Sequence, residues 1–279
     1  MKVHVLGVRG STPAPGHAFA RYGGNTSCIA LARDGGVPSL LLDAGTGLRG
    51  LGALLGEQPF RGALLFGHLH WDHTQGLPFS RAVDNDGAEV RVCIPDQDDG
   101  DDAVDVLRRA MSPPHFPIGP EGLRGEWSFE SLAPGEHHAG GFEVLALEIP
   151  HKGGRTFGYR VSDGRTSIAY LSDHGPSALG PGPDGWGPYH DTALALTARV
   201  DLLVHDAQHT AEELPSRVSW GHSAADYPVR LAEVAGAKAV LLFHHDPIRT
   251  DDEVDAIVAT FAASSVPVTA AAEGTTISL

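Results

Sequence analysis

The sequence predicts a layered α/β protein, and three observations carry that expectation. Short apolar runs of strand length recur along the chain, among them Leu40-Leu41-Leu42, Ala63 to Phe66 and Leu202-Leu203-Val204, and such runs read as buried strands. Helix-like segments lie between several of them: Ala103 to Met111, His190 to Arg199, Ala224 to Ala235 and Asp252 to Ala263. Finally, Asp43, His68, His151, Asp173, Asp206 and His244 each fall just past the last apolar residue of a predicted strand. Strand ends are where α/β proteins collect their sites.

Taken in order, the amino end reads as antiparallel β. Lys2 to Val8 alternates as a first strand, and Arg9 to Gly24 is a Gly/Pro-rich loop. Cys28 to Ala32 and Ser39 to Asp43 follow as strands joined at the hairpin-type turn Asp34-Gly35-Gly36. Residues 45–50 then contain a literal G-x-G-x-x-G. A dinucleotide site also needs an acidic residue about 20 positions further on, and that region holds Phe66, Gly67, His68 and Leu69. A tight strand-to-helix turn is therefore expected, with Asp43 behind it to orient the histidine loop.

Ala63 to Phe66 is a strand delivering that loop, Thr74 to Phe79 begins the next element, and Val90 to Ile94 is another strand. The acidic run Asp96, Asp98, Asp99, Asp101, Asp102 is no EF-hand, because the twelfth position is Leu107, which cannot ligate calcium. It reads as a solvated loop capping the helix that starts at Ala103. Ser112 to Gly122, with four prolines, is a stiff irregular connection carrying His115 and Phe116. Gly135 to Gly141, with His137 and His138, reads as an exposed turn. Phe142 to Glu148 is a strand, and Thr156 to Val161 and Ser167 to Leu171 form a hairpin closed at Asp163-Gly164. Gly175 to Tyr189 reads as a flexible surface loop, and Ala239 to Phe243 is a strand before His244-His245-Asp246.

With 279 residues, 42 % of them hydrophobic, one domain spanning 1–279 is expected. No apolar stretch reaches the ~18 residues of a membrane helix, and nothing resembles a signal peptide, so a soluble, cytoplasmic protein without membrane contact is expected. Cys28 and Cys93 make no disulfide framework and read as buried thiols. The formal charge of -15 argues against long nucleic acid as a partner, because phosphate backbones demand Lys and Arg clusters. A small anionic substrate stays compatible, since bound cations reverse the sign locally. A homodimer is open.

The chemistry concentrates in His68-Leu69-His70-Trp71-Asp72-His73. In an extended segment residues 68, 70 and 72 point the same way, and a turn at Asp72-His73 brings a fourth donor round. Three imidazoles and a carboxylate in so small a volume suit a Zn-like ion, with Mn or Fe tolerable. Trp220-Gly221-His222-Ser223 precedes a predicted helix, where His222 can serve either as a helix cap or as an acid. Arg9, Ser11, Asn25, Trp71 and His115 have ordinary packing or loop explanations beside a possible place in the pocket. His174, His205 and His209 receive no role.

The motif His68-x-His70-x-Asp72-His73, with His151, Asp173 and His244 downstream, resembles the metallo-β-lactamase superfamily. The resemblance implies an αββα sandwich, two mixed β-sheets packed face to face with helices outside. His205-Asp206-Ala207 and Gly221-His222-Ser223 resemble segments of the ribonuclease Z and cyclic phosphate phosphodiesterase branch. The run Arg21 to Cys28 and the Pro-Pro-x-Phe-Pro loop at Pro113 to Pro117 resemble a bacterial subgroup of hydrolases. The chain has no basic insertion of the kind that grips tRNA, and its cysteines do not suit an extra structural zinc.

The resemblance further implies two divalent metal ions, Zn first and Mn or Fe as alternatives. One is held by His68, His70 and His151, the other by Asp72, His73 and His244, with Asp173 bridging; His245 competes with its neighbour His244 for the last place. A hydroxide held by both ions would attack a small phosphodiester, cyclic or open. Asp72, His222 and Asp206 are the residues assigned to catalysis, His222 as the acid that protonates the leaving alkoxide and Asp206 as its orienting partner. Carbonyl ester, thioester or lactone hydrolysis on the same metals is the alternative, and a non-catalytic metal-binding module the second.

Overall fold

The computed structural model describes residues 1–97 and 100–279. Its strands are β1 (Lys2–Gly7), β2 (Cys28–Ala32), β3 (Leu40–Leu42), β4 (Arg61–Leu65), β5 (Glu89–Pro95), β6 (Glu126–Leu132), β7 (Gly135–Ala139), β8 (Phe142–Glu148), β9 (Phe157–Ser162), β10 (Ser167–Leu171), β11 (Leu202–Asp206), β12 (Val240–Phe243), β13 (Val268–Ala270) and β14 (Thr276–Ser278). The α-helices are α1 (Leu51–Leu54), α2 (Trp71–Thr74), α3 (Ala103–Arg108), α4 (Asp191–Thr197), α5 (Leu214–Arg217), α6 (Asp226–Ala235) and α7 (Asp251–Thr260). No helix among the described residues is long and apolar enough to cross a membrane.

Two seven-stranded sheets form, in the orders β14-β1-β2-β3-β4-β5-β6 and β13-β12-β11-β10-β9-β8-β7. Both are mixed: β3 to β6 run parallel and the β14-β1-β2-β3 end antiparallel, while β10 to β13 run parallel and β7 to β10 antiparallel. The layering follows from side-chain alternation along each strand. Leu40 and Leu42 point into the core between the sheets with Val204, Leu241 and Phe243. Leu41 points the other way, to a second core with Leu48 and Leu51. On the far side, Leu203 and Leu242 pack against Leu196 of α4 and Leu231 of α6. Three apolar layers separate four layers of structure, which is the αββα sandwich. Central strands buried on both faces are apolar at nearly every position, hence the continuous Leu run of β3.

Several expectations need correction. Gly135 to Ala139 is strand β7, paired antiparallel with β8 at the sheet edge, and only Gly140 and Gly141 turn. An edge strand with one wet face carries polar residues such as Glu136 and His138, which masks it in the sequence. The strands β6, β13 and β14 were not anticipated for related reasons: β6 has few buried residues, and the last two are three residues long. The segment Gly175 to Tyr189 contains a 3₁₀ turn at Pro176–Leu179, and Tyr189 stacks on Tyr227. The final helix starts one residue early, at Asp251, under a Thr250/Glu253 capping box.

The acidic run divides as an ordinary surface loop. Asp102 caps α3, its side chain accepting from the Asp105 amide, while Asp96 and Asp101 pair with Arg155 and Arg109. Asp98 and Asp99 lie outside the described residues. The glycines of the G-x-G-x-x-G stretch serve backbone proximity: a Cβ at Gly47 would sit 2.5 Å from the Leu6 carbonyl, and one at Gly45 2.4 Å from the Asp72 carbonyl. Cys28 and Cys93 are buried free thiols on opposite faces of the first sheet.

Candidate metal centre

All six strand-end residues converge where the two sheets' strands end. Asp43 follows β3, His68 follows β4, His151 follows β8, Asp173 follows β10, Asp206 closes β11 and His244 follows β12. The expected extended run through residue 72 holds only to His70, because α2 begins at Trp71. A helix turns each residue by about 100°, against the alternation of a strand. Asp72 and His73 thereby aim their donor atoms at a different cluster from His70, although the His73 ring stays 4.3 Å from that of His68.

Donor atoms gather in overlapping groups, the atoms in each lying within 4.8 Å of one another. His68, His70, His151 and Asp173 form one; Asp72, His73, Asp173 and His244 form another; Asp206, His222 and His244 form a third. Asp173 divides its oxygens between the first two. Oδ2 lies 3.6 Å from both His68 Nε2 and His151 Nε2, and Oδ1 lies 3.0 Å from His73 Nε2 and 3.1 Å from His244 Nε2. Asp72 Oδ2 is 3.2 Å from each of the latter two nitrogens.

Groups behind the donors fix their aim. His73 Nδ1 donates to Asp43 Oδ2 at 2.8 Å; Asp43 also accepts from the Gly67 amide at 2.8 Å and from the Tyr170 hydroxyl at 2.7 Å. His151 Nδ1 donates to the Gly221 carbonyl at 2.6 Å, and His244 Nδ1 to Gln208 Oε1 at 3.2 Å. Each ring then presents Nε2 inward, which is the arrangement that orients metal-binding histidines. The Ser11 amide donates to Asp72 Oδ2 at 2.7 Å. Ser11, Asp43 and His244 all have positive φ, 59°, 61° and 57°, so backbone strain collects at the site.

Two observations show that the set fits divalent ions. His68 Nε2, His73 Nε2 and Asp173 Oδ1 are buried without a hydrogen-bond partner, a costly state unless something else satisfies them. The local charge also demands a cation. Burial opposes protonation of His73 and His244, yet the adjacent carboxylates outweigh it, holding His73 well above the ordinary histidine range and His244 at about 9. Burial and the neighbouring His73 instead push His68 well below that range, leaving a neutral imidazole. Divalent ions satisfy the same carboxylates and the open lone pairs at once.

Of the two adjacent histidines after β12, His244 faces the cluster. His245 turns away and donates from Nε2 to the Ala271 carbonyl at 3.0 Å. His222 Nδ1 donates to Asp206 Oδ2 at 2.8 Å, and α6 starts later, at Asp226, with no side-chain cap, so His222 is not a helix cap. Gly221 is required beside it: with φ 86°, a Cβ there would stand 2.8 Å from His151 Nδ1. The mouth of the centre is a pocket of about 460 Å³ whose lining includes Ser11, Trp71, Lys152, Trp220 and His222.

Arg9 and Asn25 do not line this pocket. Arg9 is fully buried and ties loops together through the Gly23 and Arg249 carbonyls, and Asn25 bonds Glu273. His174 and His205, given no role from sequence, are buried and form a chain with the half-buried His190: His190 Nε2 meets His174 Nε2 at 2.9 Å and His174 Nδ1 meets His205 Nε2 at 2.8 Å. Sequence reasoning missed Gln208 and Tyr170. Gln208 lies two residues beyond a strand end, a signal within reach; Tyr170 sits inside an apolar strand and gives none.

Fold and site together define a layered α/β protein with a histidine–aspartate centre suited to divalent metals. Residues 39–245 match the family model described as the Beta-lactamase superfamily domain, and the chain belongs to that superfamily, in its metallo-β-lactamase form. Members of this superfamily are metal-dependent hydrolases. Among solved structures, the chain is similar to the metallo-β-lactamase fold protein YhfI from Bacillus subtilis, with 20 % identity, 99 % and 98 % of the two chains covered and a TM-score of 0.69. It is similar to a diphosphatase from the PhnP family at 18 % identity, 100 % and 97 % coverage and TM-score 0.70. It is also similar to the short form of human tRNase Z, at 20 % identity, 100 % and 99 % coverage and TM-score 0.65. No curated protein matches the chain.

Proposed function

We propose that this protein is a metal-dependent phosphodiesterase acting on a small anionic phosphodiester. The observation that carries the reading is the Asp206–His222 pair, held at 2.8 Å at the edge of the double donor cluster. Ester and thioester hydrolysis have less need of such a pair, whereas an alkoxide leaving from phosphorus needs a proton. Similarity in fold to a diphosphatase and to a tRNase supports chemistry at phosphorus.

His68, His70 and His151 would hold one ion, Asp72, His73 and His244 the other, and Asp173, with an oxygen toward each set, would join them. Bound there, Zn or a similar divalent ion supplies Lewis acidity at the phosphoryl oxygens and lowers the pKa of water. The chain's own residues do the rest. Asp206 locks the His222 ring through Nδ1, which leaves Nε2 to deliver a proton to the departing oxygen. The Ser11 amide fixes Asp72, and Gly221 fixes His151. Lys152, on the pocket wall, adds a positive charge where an anion enters. A pocket of about 460 Å³ favours a small substrate over long nucleic acid.

The test is metal analysis of protein purified without chelator, followed by hydrolysis of bis(p-nitrophenyl) phosphate. About two metals per chain and turnover abolished by Asp173→Ala are expected. Full activity in that variant, or hydrolysis of thioesters and lactones but of no phosphodiester, would refute the proposal. His222→Ala should cost far more on poor leaving groups than on p-nitrophenolate.

A further inference from the structure

We propose that the substrate carries an uncharged aromatic substituent on its phosphoryl group, seated in the groove between α2, the turn Leu77–Phe79 and the segment 106–116. This inference rests on the phosphodiesterase reading and names the part of the substrate that the reading leaves open. The metal pocket and the groove share Leu69 and Trp71. A molecule anchored beside Asp173 therefore passes from one into the other along a continuous surface.

The groove encloses about 530 Å³ and is walled by Trp71, Leu77, Phe79, Met111 and Phe116. Trp71 is 76 % exposed and Phe79 60 % exposed, so large aromatic surfaces stand in water next to a charged centre, and covering them is favourable. Phe79 and Phe116 meet edge to face, centroids 5.8 Å apart at 89°. They present one ring face and one ring edge, which suits a flat guest better than a flexible chain. Among the groove's described lining residues the one Lys or Arg is Arg109, which is paired with Asp101, so the groove does not provide for a second phosphate. Trp71 lies between His70 and Asp72 in the sequence, at the start of α2. Its backbone is thus placed at a set offset from the candidate centre, and the aromatic surface is carried by the same motif as the donors.

The experiment compares diesters that share a p-nitrophenolate leaving group and differ in the second ester: methyl, n-hexyl or 2-naphthyl. On the metal-loaded protein, the naphthyl diester should exceed the methyl one by about tenfold in kcat/KM, mainly through KM. Phe79→Ala, at a largely exposed position that the fold tolerates, should remove most of that ratio. A second readout needs no turnover: calorimetric binding of methyl(2-naphthylmethyl)phosphinate, which has no ester bond to break, should be about tenfold tighter than that of dimethylphosphinate, with the difference lost in Phe79→Ala. Equal use of methyl and naphthyl diesters, or a hexyl diester used as well as the naphthyl one, overturns the assignment. So does a dimer in solution that shields Trp71 from quenchers, because a second copy then fills the groove. If the binding preference persists while no diester is hydrolysed, the groove assignment stands and the phosphodiesterase reading falls.

Discussion

Asp43→Asn is the substitution that tests how the centre is held without touching a donor of the cluster. The change is close to isosteric, and Asn tolerates the φ of 61° at this position, so the backbone stays in place. Asp43 accepts from the His73 ring, the Gly67 amide and the Tyr170 hydroxyl, all within 2.8 Å. An amide keeps one acceptor oxygen and turns a donor toward at least one of these donors. The bond to Gly67 can survive, whereas Oδ2 loses both its charge and its lone pairs for His73 and Tyr170. Removing such an outer partner of a metal-binding histidine costs about 10–100-fold in metal affinity, or roughly 1.4–2.8 kcal/mol. Tyr170→Phe removes one of the three bonds and should cost the apo-protein only about 1 kcal/mol in stability, leaving metal affinity nearly unchanged. The assay is competitive zinc titration against a chromophoric chelator, with urea unfolding of the apo-protein alongside. A cycle with His73→Ala should show strong non-additivity, because Asp43 acts on metal through that ring. Unchanged affinity in Asp43→Asn, or additive losses in the cycle, would refute the argument.

Two further predictions concern neighbouring residues and pH. On the proposed two-ion assignment, His244→Asn, which keeps the positive φ accessible, should lose one metal per chain on dialysis, whereas His245→Gln should keep the native metal content and lose about 1 kcal/mol through its bond to Ala271; equal metal content in the two variants would contradict that assignment. At Glu213, burial pushes the carboxyl up, but the Arg249 guanidinium and the Thr210 amide outweigh it and hold the group at about 2 against an ordinary 4.5. A depressed folded pKa adds stability above the unfolded value that is lost as pH falls through 4.5 toward 2. The stability difference between the native protein and Glu213→Gln, measured by urea unfolding, should therefore be full at about pH 5.5 and shrink by about pH 3. A difference independent of pH would remove Glu213 from the acid response.

Much of the site was legible because strand ends announce themselves. A residue such as Asp173 or His244 follows an apolar run that can only be buried, and polar donors at that boundary have few structural reasons to be there. The buried central strands were legible for the same reason, since burial on both faces leaves an uninterrupted apolar string. Edge strands are different. In β7 and β6 one face is wet, and β6 pairs with β5 across some 30 residues; Gly135 to Ala139 carries the composition of a turn, although its register with the adjacent β8 makes it a strand.

The sequence by itself determined the layered α/β class and the histidines and aspartates gathered at strand ends, because each rests on residue chemistry and local pattern; the partnership of Asp206 with His222 came with the family resemblance. Tertiary structure alone decided how the donors divide. Helix α2 aims the donor atoms of Asp72 and His73 at a different group from that of His68 and His70, and the approach of β10 to the other strand ends gives each set one oxygen of Asp173. The choice of His244 over His245 shows only in the folded chain, where one ring faces Asp72 and Asp173 and the other the Ala271 carbonyl. The apolar groove joins residues some 40 positions apart, Trp71 to Met111. Adjacency of that kind follows from packing across layers, which no local pattern in a chain can encode.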